Sequence, residues 1–242
     1  MDVLVLWDVD HTLIENGGVS KESYAGAFKI LTGRHAEHPA RTSGRTDPEI
    51  LGDLLSDHGV DPASFGDRAK QDALVQSLAG LRGRLAQRGS ALPGARAALD
   101  ALARVPGVLQ SVLTGNLRTN GVVKLATFGL DAGLDWDCGG FGFDAPRRSD
   151  LVAVAQARAG AKHGVVFDVS STVLVGDTIN DVRAGTLGGA QVVGVLTGGV
   201  EAAALTSAGA SAVLTDLSDT AAVVEAVLGT VRSARSSGAG GS

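Results

Sequence analysis

Five apolar residues, Val3-Leu4-Val5-Leu6-Trp7, run directly into Asp8-Val9-Asp10-His11-Thr12. A short apolar run closed by polar residues reads as a buried strand. Two carboxylates two residues apart at its end project into whatever crevice the strand opens onto, and in an open α/β sheet that crevice is where ligands bind. Ionised aspartates in such a place are costly to desolvate unless a cation or hydrogen-bond donors compensate them. The pair therefore points to a metal site, to a nucleophile with its proton partner, or to both.

The rest of the chain divides in two. After a polar turn at Asn16-Gly17-Gly18, residues 20–89 contain no convincing strand. Ser20 reads as the cap of a helix that runs to about Leu31 and stops at Gly33. Asp47-Pro48 opens a second, with Ile50, Leu51, Leu54 and Leu55 on one face, and Leu74, Leu78, Leu81 and Leu85 continue that period through a third. Beyond Pro93-Gly94 helices alternate with apolar strands. A helix near 95–104 precedes Val108–Leu113, which ends in Thr114-Gly115-Asn116. A helix near 118–127 is followed by a short apolar run at Leu134–Cys138, and a helix near 149–159 leads to Thr172–Val175, which ends in Gly176-Asp177. Val192–Val195 and Ala212–Leu214 complete the series. Alternating βα units mean a parallel sheet. The expected fold is α/β, a Rossmann-like parallel core over residues 1–15 and 91–232 with an all-helical insertion at 16–90. A flexible tail is expected at 233–242, where small and polar residues dominate.

Charge follows the same division. Residues 16–90 hold ten basic against nine acidic side chains, and the remainder eleven against seventeen. A net charge of −5 gives no basic footprint for nucleic acid. No apolar run approaches the ~20 residues of a membrane span, and the acidic N-terminal segment does not read as a signal peptide. One cysteine, Cys138, excludes an internal disulfide framework and suits a reducing cytoplasm.

Three predicted strands thus end in polar sets: Asp8/Asp10/Thr12, Thr114/Gly115/Asn116, and Gly176-Asp177-Thr178-Ile179-Asn180-Asp181. As parallel neighbours they would converge at one edge of the sheet, with Arg147-Arg148 as the candidate cations. In order and spacing these segments resemble the signature of the haloacid dehalogenase superfamily of aspartate-nucleophile phosphohydrolases, and the helical insertion resembles that family's C1-type cap. The resemblance implies that Asp8 attacks phosphorus and that Asp10 is the acid and base. It implies magnesium bound by Asp8, the Asp10 backbone carbonyl and Asp177, with Asp181 ordering its waters or the basic residue. Thr114, with the amides of Gly115 and Asn116, would hold the phosphoryl oxygens, and Arg45 in the cap would meet a substrate anion.

Two positions depart from that pattern. His11 stands where glycine is commonest. The basic residue, usually lysine, is here Arg148 or Arg147; Arg148 is favoured because it sits immediately before the helix, while Lys124 and Lys162 fit surface positions better. Planar guanidinium and point-charge ammonium are not equivalent. Taken singly, the same residues have ordinary explanations. Asp177 and Asp181 can cap the helix near Thr178, and Asp47 can cap the one before Pro48. His35 and His38 read as solvated loop residues, and Cys138, with no basic neighbour in sequence, as inert.

The expected function is a magnesium-dependent phosphatase for a small phosphorylated metabolite. A phosphosugar mutase of the same family is disfavoured because Asp47 stands where its arginine belongs. A dehalogenase lacks the second carboxylate that Asp10 supplies. A non-catalytic phospho-ligand binding module would have lost the nucleophile or a metal ligand, and neither is lost. Nothing in the sequence sets the oligomeric state.

Overall fold

A computed structural model describes residues 2–239. Its centre is a six-stranded sheet built from β1 (Val3–Trp7), β4 (Val108–Thr114), β5 (Gly140–Phe141), β6 (Thr172–Gly176), β7 (Gln191–Val195) and β8 (Ala212–Leu214). They lie in the order β5-β4-β1-β6-β7-β8, and every pairing is parallel. Strand alternation sorts the side chains of β1. Val3, Val5 and Trp7 enter one core and Leu4 and Leu6 the other, all fully buried. The first core is closed by α4 (Ala95–Ala103) and α9 (Thr220–Ala239), the second by α6 (Asp150–His163) and α7 (Ile179–Gly188). This is a Rossmann-like α/β fold; α5 (Arg118–Thr127) and α8 (Ala202–Ala208) complete its helices.

Between two short strands, β2 (Ile14–Glu15) and β3 (Ser90–Ala91), the chain forms α1 (Val19–Thr32), α2 (Asp47–Asp57) and α3 (Asp67–Arg88), with one short 3₁₀ turn. β2 and β3 pair antiparallel, so the segment leaves and re-enters at one place. It has its own core of Tyr24, Phe28, Ile50, Leu51, Leu54, Leu55 and Leu74.

Several local expectations are corrected. α1 begins at Val19 after Gly18 in the left-handed region, so Ser20 is not its cap. The cap of α2 is Thr46, in a reciprocal capping box with Glu49, and not Asp47. Leu134–Cys138 forms no strand: Trp136–Cys138 is a 3₁₀ turn, and the edge strand is β5. The expected flexible tail at 233–242 is replaced through Ala239 by helix α9, pinned by Arg235 donating to the carbonyls of Ser170 and Asp2; residues 240–242 lie outside the described region.

Candidate active site

β1 lies between β4 and β6, so three strands end side by side at the sheet's carboxyl edge. Asp8 follows β1, Thr114 ends β4, and Asp177 follows β6. From β1 the chain builds the sheet outward through β4 to β5 on one side, then crosses back to β6 and continues outward on the other, and this reversal of strand order opens a crevice. A cavity of about 260 Å³ occupies it. Its floor holds Asp8, Asp10, Thr114, Gly115, Asn116, Arg148 and Asp177, and Lys21, Tyr24, Ser43 and Arg45 line it from the helical segment.

Asp8, Asp177 and Asp181 are buried and form one acidic cluster, with a carboxylate oxygen from each lying within 4.8 Å of the others. Thr178 and Asp181 begin α7 with a second reciprocal cap, which fixes one Asp181 oxygen. The other accepts from Arg148 Nη2 at 2.5 Å, and the same nitrogen donates to Asp8 Oδ1 at 2.9 Å. Arg148 is buried, and Asp181 and Asp8 outweigh that burial and raise its pKa further. Arg147 instead pairs with Asp150 at the surface. Asp177 accepts from Thr12 Oγ1 at 3.0 Å and has no cation partner among the described residues. One guanidinium therefore faces three carboxylates. Burial and Asp181 push Asp8 up to about 7 against the pull of Arg148; burial, Asp181 and Asp8 push Asp177 up to about 9.

Asp10 sits in the opposite environment. Its carboxylate accepts from Lys124 Nζ at 2.7 Å, Asn116 Nδ2 at 2.8 Å, Asn16 Nδ2 at 2.8 Å and Ser20 Oγ at 3.3 Å. Burial again disfavours the charge, but Lys124 and the amide donors outweigh it and bring Asp10 down to about 2. The surface reading of Lys124 is thereby corrected. It is 3% exposed, and it also donates to Asn116 Oδ1 and Ser20 Oγ at 2.7 and 2.8 Å. Its signal was present in the sequence: Gly121, Lys124 and Leu125 share the inward stripe of α5, where an unpaired lysine would be out of place. Lys162 is exposed and pairs with Asp135 and Asp137.

The β4 turn is tied inward. Asn116 donates through Nδ2 to Thr114 Oγ1 at 2.8 Å. Arg45 lines the cavity while its Nη1 contacts Asp53 at 2.8 Å. His11 adopts φ 61°, the left-handed conformation where a glycine costs least, and its carbonyl accepts from Thr197 Oγ1. His35 and His38 are exposed. Cys138 is buried; desolvation and Asp135 push its thiol up to about 11, which leaves it unreactive.

This arrangement of strand-end carboxylates coincides with a family match over residues 5–186, to the haloacid dehalogenase-like hydrolases. The chain belongs to that family. Among solved structures, a hydrolase from Pseudomonas syringae superposes with a TM-score of 0.66 at 21% identity, covering 93% of this chain and 98% of that one. CbbY from Rhodobacter sphaeroides, in complex with phosphate, gives 0.66 at 18% identity over 90% and 96%. A predicted phosphoglycolate phosphatase from Haemophilus somnus gives 0.62 at 17% over 92% and 98%. At these identities the likeness concerns the fold. No curated protein matches the sequence. Among the described residues of this haloacid dehalogenase-like hydrolase, no helix is long and apolar enough to cross a membrane.

Proposed function

We propose that this hydrolase is a magnesium-dependent phosphatase that cleaves a small phosphomonoester through an aspartyl phosphate on Asp8. The supporting observation is the opposed setting of the two aspartates: Asp8 in a cluster short of positive charge, and Asp10 held ionised by a buried lysine. Residues 16–90 would act as the family's C1-type cap over a core of 1–15 and 91–232, and the single buried cysteine suits a reducing cytoplasm.

The donor set fits a hard divalent cation. Among three buried carboxylates the one guanidinium bonds Asp8 and Asp181, and Asp177 has only a hydroxyl donor, so the cluster is short of positive charge until more arrives. An all-oxygen set is what magnesium takes. We assign it to Asp8, Asp177 and the Asp10 backbone carbonyl, an assignment supported by the Asp10 carboxylate being fully engaged by Lys124, Asn116 and Asn16. When bound, magnesium supplies positive charge to the phosphoryl oxygens and to Asp8.

The side chains divide the remaining work. Arg148 holds Asp8 through Oδ1, which leaves Oδ2 to attack phosphorus, and Asp181 fixes Arg148 from the far side. Thr114 and the amides of Gly115 and Asn116 hold the phosphoryl oxygens, a task of positioning and charge neutralisation. An arriving phosphate dianion raises the Asp10 pKa, so Asp10 takes up a proton and delivers it to the leaving oxygen. Giving up that proton leaves Asp10 a carboxylate beside Lys124, and this carboxylate then deprotonates the water that hydrolyses the intermediate. Arg45 meets an anionic part of the substrate from the cap, and the 260 Å³ cavity restricts that substrate to a small metabolite. A mutase reading gains nothing from Asp47, whose side chain is buried against Tyr24 and Leu117.

The test is phosphate release from a panel of small phosphomonoesters, with magnesium and with EDTA, for the wild type and Asp8→Asn. We expect magnesium-dependent release concentrated on few compounds and none from the folded variant. Wild-type rates in Asp8→Asn would overturn the mechanism.

A further inference from the structure

The loop that carries Arg45 crosses the phosphate-holding turn at backbone contact. A Cβ on Gly115 would lie 2.0 Å from the Arg45 carbonyl oxygen and 3.0 Å from the Thr46 Cα, so only glycine permits this approach. The contact is then fastened by one residue. The Asp47 amide donates to the Gly115 carbonyl at 2.7 Å. Asp47 Oδ2 accepts from the Leu117 amide at 2.7 Å, and Oδ1 accepts from the Tyr24 hydroxyl at 2.5 Å.

Three features set this apart from ordinary packing. Asp47 is 2% exposed, and a carboxylate that deeply buried is retained at a cost unless its donors matter. Leu117 is the N-cap residue of α5, and its amide, one of the donors a helix start leaves without an intrahelical partner, finds its acceptor in Asp47 of the helical segment. Tyr24 also lines the cavity, so the same side chain touches the substrate space and the fastening.

We propose that Asp47 is a positioning residue that locks the helical segment onto the core and, through Gly115 and Leu117, sets the backbone on both sides of Asn116 that holds the transferring phosphoryl group. The proposal rests on the phosphatase reading for its kinetic consequence. Asp47 touches no reacting atom; it fixes the turn that does. Removing it loosens the Gly115–Asn116 amides, and a displacement of even 1 Å at such a site is costly in rate.

The experiment compares Asp47→Ala, Asp47→Asn and Tyr24→Phe on p-nitrophenyl phosphate, a substrate with little to offer the cap. In Asp47→Asn the amide oxygen still accepts from Leu117, and its NH₂ donates to the tyrosine oxygen. We expect Asp47→Ala to lower kcat about tenfold or more with KM within about threefold, Asp47→Asn to stay within about threefold of wild type, and Tyr24→Phe to fall between them. Hydrogen exchange at the Leu117 amide gives a second readout: slow in the wild type and in Asp47→Asn, fast in Asp47→Ala. An Asp47→Ala enzyme with wild-type kcat, or equal losses in the alanine and asparagine variants, would overturn the proposal. Should the wild type hydrolyse no ester at all, the functional reading fails by itself, and Leu117 exchange still decides: unchanged exchange in Asp47→Ala overturns the lock, and faster exchange supports it.

Discussion

Asp8 and Asp10 stand two residues apart, both in the cavity wall, and the fold treats them in opposite ways. Around Asp8 three carboxylates cluster, Arg148 bonds two of them, and Asp8 and Asp177 are pushed up. Around Asp10 one carboxylate receives an ammonium and three neutral donors, and the acid is pulled down. Burial is common to both and cannot explain the difference. Charge count does: one neighbourhood is complete as folded, and the other is short of positive charge. The first lesson is that a buried acidic cluster reports function through what it lacks. The second is that the complete neighbourhood ties three parts of the chain together, since Lys124 of α5 reaches the β1 loop, α1 and the β4 turn at once.

Breaking the complete side should have the largest effect. Lys124→Met leaves Asp10, Ser20 and Asn116 without their shared donor, and stranding a buried charge costs about 3 kcal/mol or more. We expect a clear drop in melting temperature together with a large loss of kcat; unchanged stability would show that Lys124 does not compensate Asp10. The incomplete side should respond with the other sign. Asp177→Asn removes a carboxyl that must hold a proton near neutral pH to stay in this cluster, so in EDTA the variant should melt no lower than the wild type. The pH dependence follows from the raised pKa values. A carboxyl that binds its proton more tightly folded than unfolded contributes stability that is intact below about pH 4 and fades as pH rises toward the folded value. Those values are about 7 for Asp8 and about 9 for Asp177. Melting temperature in EDTA should therefore fall as the solution moves from mildly acidic toward alkaline, and Asp177→Asn should flatten the upper part of that slope. A rise with pH in EDTA would contradict the charge deficit.

A smaller effect sharpens the boundary between the two neighbourhoods. His11 joins them in a left-handed conformation, so His11→Gly should stabilise the protein by about 0.5–1 kcal/mol, a shift of roughly 1–4 °C. Loss of stability would mean that its contact with Glu15 outweighs the strain.

Much of this was legible in the residues. Apolar runs ending in Asp8, Thr114 and Gly176-Asp177 gave both the parallel sheet and the convergence of its strand ends, because strand burial and strand-end chemistry are local signals. The position of Arg148 before α6 separated it from Arg147. Long-range partnerships were not legible. Lys124 looked like a helix-surface lysine because its partner Asp10 lies 114 positions away, although its place on the inward stripe of α5 was a usable clue. Asp47 looked like a cap because an aspartate before proline usually is one; Thr46 took that role and left Asp47 free to reach Leu117, 70 positions on. The helical end of the chain was missed for a similar reason. Serine and glycine there argue for a loose tail, while the anchoring of Arg235 on the carbonyls of Ser170 and Asp2 is a tertiary contact.

The central claim, that the Asp8 neighbourhood is built to receive a divalent cation, is tested most directly by magnesium titration of the metal-free protein near neutral pH, followed by calorimetry and thermal melting. The account predicts saturable binding with a rise in melting temperature in the wild type, and loss of both in Asp177→Asn. A wild-type protein that neither binds magnesium nor melts higher in its presence would contradict it.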